Sequence, residues 1–331
     1  MKHYIHFLGE KVLAGENITP SEAKRLLNVG HEDVVDLMAA AHRVRHHFMG
    51  DEVEFCTIIN AKSGRCSEDC KFCAQSAHYQ GECDIYPLLA GDTIVQAAKD
   101  AETKGIPRFS IVTSGKRLGE KDFERVVECV KRIRAETAVQ MDCSLGMLSA
   151  NEALALKQAG VDRYHHNLET SPDFFDKICT THAFAEKLDT LHLMQENGFS
   201  LCSGGILGLG ENPSQWIDMV FLLRDLGVDA IPVNILDPRP GTPFEKGSPP
   251  PPLEILKIIA IMRLIVPDRH IKLAGGREVN LRDLQGLAFL SGATGMIVGG
   301  YLTTGGRSVD ADHQMIRDLE LQHSCAEGRN Q

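Results

Sequence analysis

Four cysteines lie in one short stretch of the chain, GRCSEDCKFCAQSAHYQGEC, at residues 64–83. Cys66, Cys70 and Cys73 have the spacing CxxxCxxC, and Cys83 follows further along the same stretch. Thiolates are preferred protein ligands of zinc and of iron–sulfur clusters. A structural zinc site usually has a second close pair of ligands, which is missing here. The spacing therefore favours a 4Fe-4S cluster with one iron open to a small bidentate ligand, and zinc is the alternative.

The composition argues against nucleic acids and anionic membranes as partners. The chain has 331 residues, 43% of them hydrophobic, and a net charge of −10. An acidic surface disfavours nucleic acids and anionic membranes. Residues 1–20 lack the features of a signal peptide, and the most apolar run, residues 255–266, is too short to span a bilayer. We therefore expect a cytoplasmic protein whose ten cysteines serve metal or redox chemistry rather than disulfides.

Short apolar segments alternate with amphipathic helical segments along most of the chain. The apolar segments have strand character, and they lie at residues 54–60, 108–114, 138–144, 163–169, 199–207, 230–236, 270–275 and 295–300. Eight strands alternating with helices predict an α/β fold, a (β/α)8 TIM-type barrel, with a doubly wound sheet as the alternative. We expect an N-terminal helical extension at 1–50, the barrel at 51–305, and a C-terminal helix with a polar tail at 306–331.

The cysteine motif and several later stretches resemble a known family. CxxxCxxC after the first predicted strand, with Phe72 between the last two cysteines, is similar to the signature of the radical S-adenosylmethionine superfamily. Within that superfamily the chain resembles the biotin synthases over nearly the whole barrel. The matching stretches are YHHNLETS (164–171), KLDTL (187–191), CSGGILGLGE (202–211), IPVNIL (231–236), AGGREVN (274–280) and YLTT (301–304).

This resemblance implies a reaction and its cofactors. Cys66, Cys70 and Cys73 would hold the 4Fe-4S cluster, whose open iron binds S-adenosyl-L-methionine. One electron from the cluster cleaves this cofactor and releases a 5′-deoxyadenosyl radical, which takes hydrogen from unactivated C–H bonds of dethiobiotin before sulfur is inserted. The implied partners are dethiobiotin, a small electron-donor protein of the flavodoxin or ferredoxin type, and a second copy of the chain in a homodimer.

The resemblance also implies roles for individual residues. Asn167 and Glu169 match positions that hydrogen-bond the ribose and the substrate, with Glu in place of the usual Asp. An amide at Asn234 suits a ureido ring, which offers a carbonyl and N–H groups. His182 replaces an arginine that pairs with the cofactor carboxylate. Further implied contacts are Gly204, Gly205, Ile206, Gly208 and Glu211 to S-adenosylmethionine, and Thr303 and Thr304 to the substrate.

One part of the family pattern is broken. Biotin synthases usually carry a second, 2Fe-2S cluster that supplies the sulfur and is held by three cysteines and an arginine. Here only Cys202 matches, while Ser110, Asp142 and Lys272 stand at the other positions. The auxiliary cluster is therefore either absent or built differently. Spare thiols favour a different cluster, of a four-iron type or otherwise 2Fe-2S; the candidates are Cys83, Cys143 and Cys202, with Asp142 or Lys272 nearby and Cys179 as a weaker candidate.

Strand alternation bears on these candidates. Asp142 and Cys143 are adjacent in a predicted strand, so the polar pattern turns Asp142 towards the lumen and Cys143 away from it unless a bulge intervenes. The same rule speaks against His165 and His166 as a chelating pair. We expect the remaining thiols to be ordinary ones, and these are Cys56, Cys129 and Cys325.

Two other functions fit part of the pattern. Another small-molecule radical enzyme of the same branch, hydrogenase-maturase-like or methylornithine-synthase-like, would explain the missing cluster ligands. The YHHNLETS segment, Asn234 and the pair Thr303–Thr304 speak against it. The second is a zinc- or cluster-binding structural protein without turnover. Iron and sulfide analysis with an anaerobic cleavage assay would separate that protein from an enzyme.

Overall fold

A closed parallel barrel forms the centre of the computed structural model, which describes residues 1–324. Strand β1 pairs with β2 on one side and with β9 on the other, which closes the sheet and excludes the doubly wound alternative. The strands are β1 Glu52–Lys62, β2 Arg108–Thr113, β3 Gln140–Ser144, β4 Arg163–His165, β5 Ser200–Cys202, β6 Gly205–Leu207, β7 Ala230–Ile235, β8 His270–Leu273, β9 Gly295–Ile297 and β10 Gln322–His323. Cys325 and the end of the predicted polar tail lie outside the described residues.

The eight strand positions of the barrel confirm the predicted (β/α)8 fold. Both β5 and β6 pair with β7, so together they form the fifth position, interrupted at residues 203–204. β10 adds to the start of β1 outside the barrel. Every described strand pairing is parallel, which places all carboxyl ends of the barrel strands at one face. That face is where barrels of this type keep their active sites.

Helices surround the barrel, and some of them begin with a side-chain cap. They are α1 Lys2–Leu13, α2 Pro20–Leu26, α3 Val34–Met49, α4 Gly91–Thr103, α5 Glu120–Glu136, α6 Ala150–Ala159, α7 Pro172–Phe175, α8 Phe184–Glu196, α9 Pro213–Asp225, α10 Pro252–Ile265, α11 Arg277–Leu281, a 3-10 helix Arg282–Leu284, α12 Gln285–Leu290 and α13 Val309–Asp318. Helix α6 begins at a capping box of Ser149 and Glu152 and ends at Gly160 in the left-handed conformation. Within residues 1–324, none of these helices has the length and apolarity needed to cross a membrane.

The three helices before β1 close the amino end of the barrel. Arg45 of α3 is fully buried and donates hydrogen bonds to the carbonyls of Ala293 (3.0 Å) and Gly50 (2.9 Å). These carbonyls immediately precede β9 and β1, so the guanidinium satisfies backbone groups at the barrel's amino end. Lys257 of α10 similarly donates to the carbonyl of Leu27, 3.0 Å away. The opposite end of the barrel is left open for a site.

Side chains that point into the barrel form layers of four from alternate strands. The register of the sheet aligns Cys56 of β1, through β2, with the β3 residue that lies two positions before Asp142. A step of two strands around the barrel and two residues along the chain therefore leads from Cys56 to Asp142. Repeating this step leads to Cys202, then to Lys272, and then back to Cys56. This closure is the one expected of an eight-stranded barrel with a shear of 8. We call these four residues the thiol layer. The layer above it, nearer the carboxyl ends, consists of Ser110, His165, Pro232 and Ile297.

Candidate active site inside the barrel

A cavity of about 430 Å³ opens at the carboxyl end of the barrel and reaches down to the thiol layer. Barrel layers are normally filled by Val, Ile and Leu, whereas here thiols, charged groups and small polar side chains leave space. The site residues predicted from sequence that line this cavity are Cys66, Cys70, Cys73, Asn167, Glu169, His182, Cys202, Ile206, Asn234, Thr303 and Thr304. The predicted residues that the described cavity wall does not contain are Cys83, Cys143, Gly204, Gly205, Gly208 and Glu211.

The three cysteines of the CxxxCxxC motif are held by a hydrogen-bonded loop at the mouth of the cavity. The carbonyl of Cys66 accepts from the amide of Ala77 (2.8 Å), and the carbonyl of Cys70 accepts from the amide of Cys73 (3.0 Å). Burial raises the pKa of the Cys73 thiol to about 12. A thiolate at that position therefore needs a cation such as iron to stabilise it. Three partly buried thiols facing one space fit a cluster with three protein ligands.

Asp69, inside the motif, fixes this loop to the segment after α7. Its carboxylate accepts from the amides of Thr180 (2.8 Å) and Thr181 (3.1 Å) and from the hydroxyl of Thr181 (3.1 Å). Burial raises the pKa of Asp69, but hydrogen bonds to its carboxylate lower the pKa by more than burial raises it. The pKa of Asp69 therefore lies well below its usual range. The cysteine loop is therefore fixed by its own carboxylate to donors on a second segment.

Cys179 and His182 lie against the cysteine loop. The Cys179 thiol is 3.8 Å from the sulfur of Cys70 and 3.3 Å from Nδ1 of His182. The same Nδ1 lies 2.6 Å from a carboxylate oxygen of Glu68. Cys179, predicted as a weaker candidate for the auxiliary cluster, thus lies beside Cys70 of the cysteine motif and not at the thiol layer. The imidazole of His182 is already engaged by two protein groups.

Glu169 presents an unsatisfied oxygen to the cavity. Its Oε2 atom is shielded from solvent and has no hydrogen-bond partner among the described residues. Burial raises the pKa of this carboxyl. Beside it, Oδ1 of Asn167 accepts from the amide of Gly204 (3.0 Å), and the NH2 group of Asn167 interacts with the Glu169 carboxylate. An orphaned carboxylate oxygen beside an amide with a second N–H to donate fits a ligand that carries hydroxyl groups, such as a ribose.

Lys187 is a cavity residue that the sequence reasoning missed. Its ammonium donates to the carbonyl of Asn167 at 2.9 Å, and the side chain is buried in the cavity wall. Lys187 acts electrostatically on both Cys70 and Glu169. It therefore brings a positive charge between the cysteine loop and the carboxylate. Its place in the family stretch KLDTL was the signal that could have found it.

The glycine-rich segment shapes the cavity without forming its wall. A Cβ atom on Gly204 would lie 2.0 Å from the carbonyl oxygen of Pro232, and one on Gly205 would lie 2.4 Å from that of Glu169. These glycines are needed because neighbouring strands approach closely. Glu211 accepts hydrogen bonds from the amide of Gly208 (2.9 Å) and from the indole of Trp216. Among the cofactor contacts predicted in this glycine-rich segment, Ile206 is the one that lines the described cavity wall.

Asn234 connects two strand ends at the cavity. Its Oδ1 accepts from the amide of Gly275 (3.0 Å), and its Nδ2 donates to the carbonyl of Gly205 (3.3 Å). An amide has two acceptor and two donor positions, so one of each remains for a ligand. Thr303 and Thr304 also contribute to the cavity wall. Asn234 therefore has a structural role in addition to its predicted contact with the substrate.

A charged network, which we call the floor, includes Asp142 and Lys272 of the thiol layer and extends below that layer. Glu54 of β1 forms salt bridges with Lys272, with Arg163 (3.0 Å) and with Arg108 (3.2 Å), and Arg108 also bridges to Asp142 (2.5 Å). Although burial raises the pKa of Glu54, the three cations hold it well below its usual range. Three cations face two anions in this group. The floor therefore has an excess positive charge.

Two thiols face the lumen directly above this floor. The Cys56 sulfur lies 3.8 Å from Nζ of Lys272, and the Cys202 sulfur lies 3.2 Å from Nδ1 of His165. Burial raises the pKa of both thiols to about 11, while Lys272 opposes the shift. Burial lowers the pKa of His165 to about 4, so its imidazole is neutral near pH 7. Cys56 was expected to be an ordinary thiol, yet it shares the inward face of β1 with Glu54, two residues before it.

Cys143 and Cys83 do not join this group, which corrects the predicted set. β3 pairs with β2 in unbroken register, so alternation turns Asp142 into the cavity and Cys143 into the apolar core outside the barrel. Cys83 lies in the loop after the cysteine motif, outside the described cavity wall. His165 and His166 both line the cavity because β4 ends at His165 and strict alternation ends with it. That the two histidines do not chelate one metal ion together stays a prediction.

Comparison with known proteins identifies close relatives. The radical SAM superfamily model matches residues 61–223, and the Biotin and Thiamin Synthesis associated domain matches residues 232–322. The chain is 46% identical over 321 residues to a biotin synthase of Citrifermentans bemidjiense, which covers 97% of this chain and 98% of the relative. It is 48% identical over 310 residues to the biotin synthase of Heliobacterium modesticaldum, covering 94% and 95% of the two chains.

Solved structures share the fold at lower identity. Methylornithine synthase superposes with a TM-score of 0.85 at 21% identity, covering 96% of this chain and 98% of the other. The FeFe-hydrogenase maturase from Carboxydothermus hydrogenoformans superposes with a TM-score of 0.83 at 19% identity, covering 98% and 80%. These likenesses support the barrel architecture alone.

Proposed function

Since the chain belongs to the biotin synthase family of radical S-adenosylmethionine enzymes, we propose that it converts dethiobiotin into biotin with sulfur from an auxiliary iron–sulfur cluster. The observation that carries this proposal is a single cavity with thiols at both of its ends. The CxxxCxxC cysteines lie at its mouth and Cys202 lies at its floor. A substrate between them would meet a radical source on one side and a sulfur source on the other.

The first cofactor set fits the mouth of the cavity. Cys66, Cys70 and Cys73 would hold the 4Fe-4S cluster and leave one iron for S-adenosylmethionine. When bound, this pair supplies the radical chemistry needed to take hydrogen from an unactivated carbon. Glu169 would accept hydrogen bonds from the ribose hydroxyls through its unpartnered Oε2. Asn167 would donate its second N–H to the same ligand.

Lys187 is our candidate partner for the carboxylate of S-adenosylmethionine. The family resemblance had given this role to the position of His182, but Glu68 and Cys179 occupy that imidazole. Lys187 is buried in the cavity wall, and its ammonium hydrogen-bonds a backbone carbonyl. An ammonium with donor capacity to spare suits a carboxylate ligand.

The substrate would lie between the mouth and the thiol layer. Asn234 retains one donor and one acceptor for the ureido ring, and Thr303 and Thr304 supply hydroxyl groups on the wall. For each biotin, two C–H bonds would break and two C–S bonds would form. Each hydrogen would leave as part of a 5′-deoxyadenosine, so two S-adenosylmethionine molecules and two electrons would be consumed per product. The two electrons released as sulfide becomes a thioether would pass to the irons of the auxiliary cluster.

Three further features belong to the proposal. A small flavodoxin- or ferredoxin-type protein would deliver the electrons, and the family resemblance implies a homodimer. The cytoplasm is the compartment that would keep the cysteines reduced, and the nine described cysteines are all free thiols. The auxiliary cluster would be of a four-iron type or otherwise 2Fe-2S.

An anaerobic turnover assay tests the function. Reconstituted full-length protein is given S-adenosylmethionine, a reductant and dethiobiotin, and both 5′-deoxyadenosine and biotin are quantified. We expect cleavage that responds to dethiobiotin and about two 5′-deoxyadenosine molecules per biotin. Cleavage that ignores dethiobiotin, with no biotin formed by fully loaded protein, would contradict the proposal.

A further inference from the structure

We propose that the auxiliary cluster is held across the barrel by Cys56 and Cys202, with the imidazole of His165 as a third ligand and Lys272 as its counter-cation. This inference rests on the proposed function, because that function requires a sulfur source. It differs from the ligand set that the family pattern and the sequence suggested. Cys56 has no place in that pattern, and Cys143 and Cys83 are removed from the set.

The placement of the two thiols is the first argument. Cys56 is on the first strand position and Cys202 on the fifth, so they face each other across an eight-stranded barrel. Both belong to the thiol layer and both line the cavity. The other two members of this layer, Asp142 and Lys272, are charged, so the layer is not the branched aliphatic packing that normally fills this level. Opposed thiols can instead bind opposite sides of one cluster.

The spacing favours a cluster over a single ion. Among the described residues, the group whose ligand atoms lie within 4.8 Å of one another is Cys70, Cys179 and His182, and it does not include Cys56 or Cys202. The three sulfurs of the CxxxCxxC cysteines also do not all lie within 4.8 Å of one another, although these cysteines match a cluster motif. Ligands of a multi-iron cluster lie further apart than ligands of one ion because they bind different irons.

His165 supplies the third donor from the layer above. Its Nδ1 atom is 3.2 Å from the sulfur of Cys202, so both atoms reach the same corner of the lumen. Imidazole replaces cysteine as an iron ligand in some two-iron clusters. Ser110 and Pro232, in the same layer as His165, are too small to fill the space between the layers. That space lies directly over the thiols.

The charges of the surroundings suit an anionic guest. Lys272 lies 3.8 Å from the Cys56 sulfur, and the floor network of three cations and two anions leaves one positive charge uncompensated. Thiolate ligands and bridging sulfides are negative, so binding a cluster would balance this charge. An empty lumen would leave it buried and unpaired.

Iron counting on isolated clusters tests the ligand set. Replacing Cys66, Cys70 and Cys73 together by Ala should remove the first cluster and leave only auxiliary iron. Wild-type protein should hold about eight irons per chain for two four-iron clusters, or about six with a two-iron auxiliary cluster. In the triple variant about four or about two should remain. Adding Cys56→Ser or Cys202→Ser to the triple variant should reduce iron and sulfide to near zero.

Matched variants separate this ligand set from its rivals. Cys129→Ser removes a buried thiol on helix α5 and should leave iron content and Mössbauer spectra unchanged. Cys143→Ser removes the buried thiol of the neighbouring strand and tests the rival ligand directly. The inference is overturned if Cys143→Ser or Cys83→Ser removes the auxiliary iron while Cys56→Ser retains it. It is also overturned if the triple variant binds no iron at all.

Spectroscopy tests the nitrogen ligand. Pulsed EPR of the reduced triple variant should show coupling to a nitrogen nucleus, and His165→Gln should abolish that coupling. Retention of the coupling in His165→Gln contradicts the assignment of His165. These measurements need no turnover. If the wild-type protein makes biotin but Cys56→Ser keeps its auxiliary iron, this inference alone is refuted. If Cys56→Ser loses its auxiliary iron but the wild-type enzyme does not respond to dethiobiotin, the proposed function alone is refuted.

Discussion

Nδ1 of His182 lies 2.6 Å from a carboxylate oxygen of Glu68, and this contact ties the imidazole to the cysteine loop. Although burial lowers the pKa of His182, its hydrogen bonds with Cys179 and Glu68 raise that pKa. Both contacts are made at Nδ1, so this nitrogen positions the imidazole against the loop. We propose that Lys187, in the same cavity wall, supplies the positive charge for the carboxylate of a ligand.

We therefore predict that Lys187→Met weakens the binding of S-adenosylmethionine by about 10- to 100-fold, because a charge-assisted hydrogen bond contributes about 1.5–3 kcal/mol. Lys187→Arg keeps the charge and should restore most of the affinity. The measurement is equilibrium binding to anaerobically reconstituted protein of unchanged iron content. A larger loss in His182→Gln than in Lys187→Met would return the role to the histidine.

Loss of any one cysteine of the motif should abolish cleavage of S-adenosylmethionine. Cys66→Ala, Cys70→Ala and Cys73→Ala each remove one iron ligand, so the open iron is no longer defined. The measurement is 5′-deoxyadenosine formed under reducing conditions. Cys129→Ala on helix α5 is the control and should retain activity. Normal formation of 5′-deoxyadenosine in any of the three variants would contradict the radical mechanism.

Asn234→Ala should weaken dethiobiotin binding by about 1–3 kcal/mol, since buried ureido groups would lose a hydrogen-bonding partner. Thermal stabilisation by dethiobiotin should shrink accordingly. The variant also loses two structural hydrogen bonds, so some loss of Tm without substrate is expected. Asn197→Ala, which removes an amide that bonds within helix α8, is the control and should respond normally to dethiobiotin. An unchanged substrate-dependent shift in Asn234→Ala would exclude the ureido contact.

Glu169→Gln should stabilise the ligand-free protein while weakening S-adenosylmethionine binding. The pKa of Glu169 is raised above its ordinary 4.5. A group of this kind contributes stability below its unfolded pKa and loses that contribution as the pH rises through the folded value. The Tm of Glu169→Gln should therefore exceed that of the wild type near pH 7, and the two should converge near pH 4. A constant difference across this range would show that desolvation of the carboxylate is not the cause.

Glu54→Gln should destabilise the barrel by about 3–5 kcal/mol, because it leaves Lys272, Arg163 and Arg108 without their shared counter-ion. The pKa of Glu54 is held well below its ordinary value. Its contribution is therefore present above the ordinary glutamate pKa and is lost as the pH falls through the folded value. Denaturant unfolding at pH 7 and at lower pH measures both effects. Glu10→Gln on helix α1 is an exposed control and should change little. Equal stabilities of wild type and Glu54→Gln at pH 7 would contradict the prediction.

The sequence by itself determined the family and the barrel, and it predicted the site of the first cluster. Cys66, Cys70 and Cys73 are close in sequence, so their spacing alone indicates a shared site, and all three line the cavity. Alternation was enough to turn Asp142 inwards and Cys143 outwards, because side chains on a regular strand change face at every residue. These local rules reach only as far as one element extends.

Only the tertiary structure decided which distant residues meet. Cys56 and Cys202 are far apart in sequence, and their opposition depends on how eight strands close with a fixed stagger. Likewise, the contact between His182 and Glu68 joins two segments that lie far apart in sequence. Such pairings follow from barrel register and loop packing. A pattern read along a single strand contains no information about the strand that faces it across the lumen.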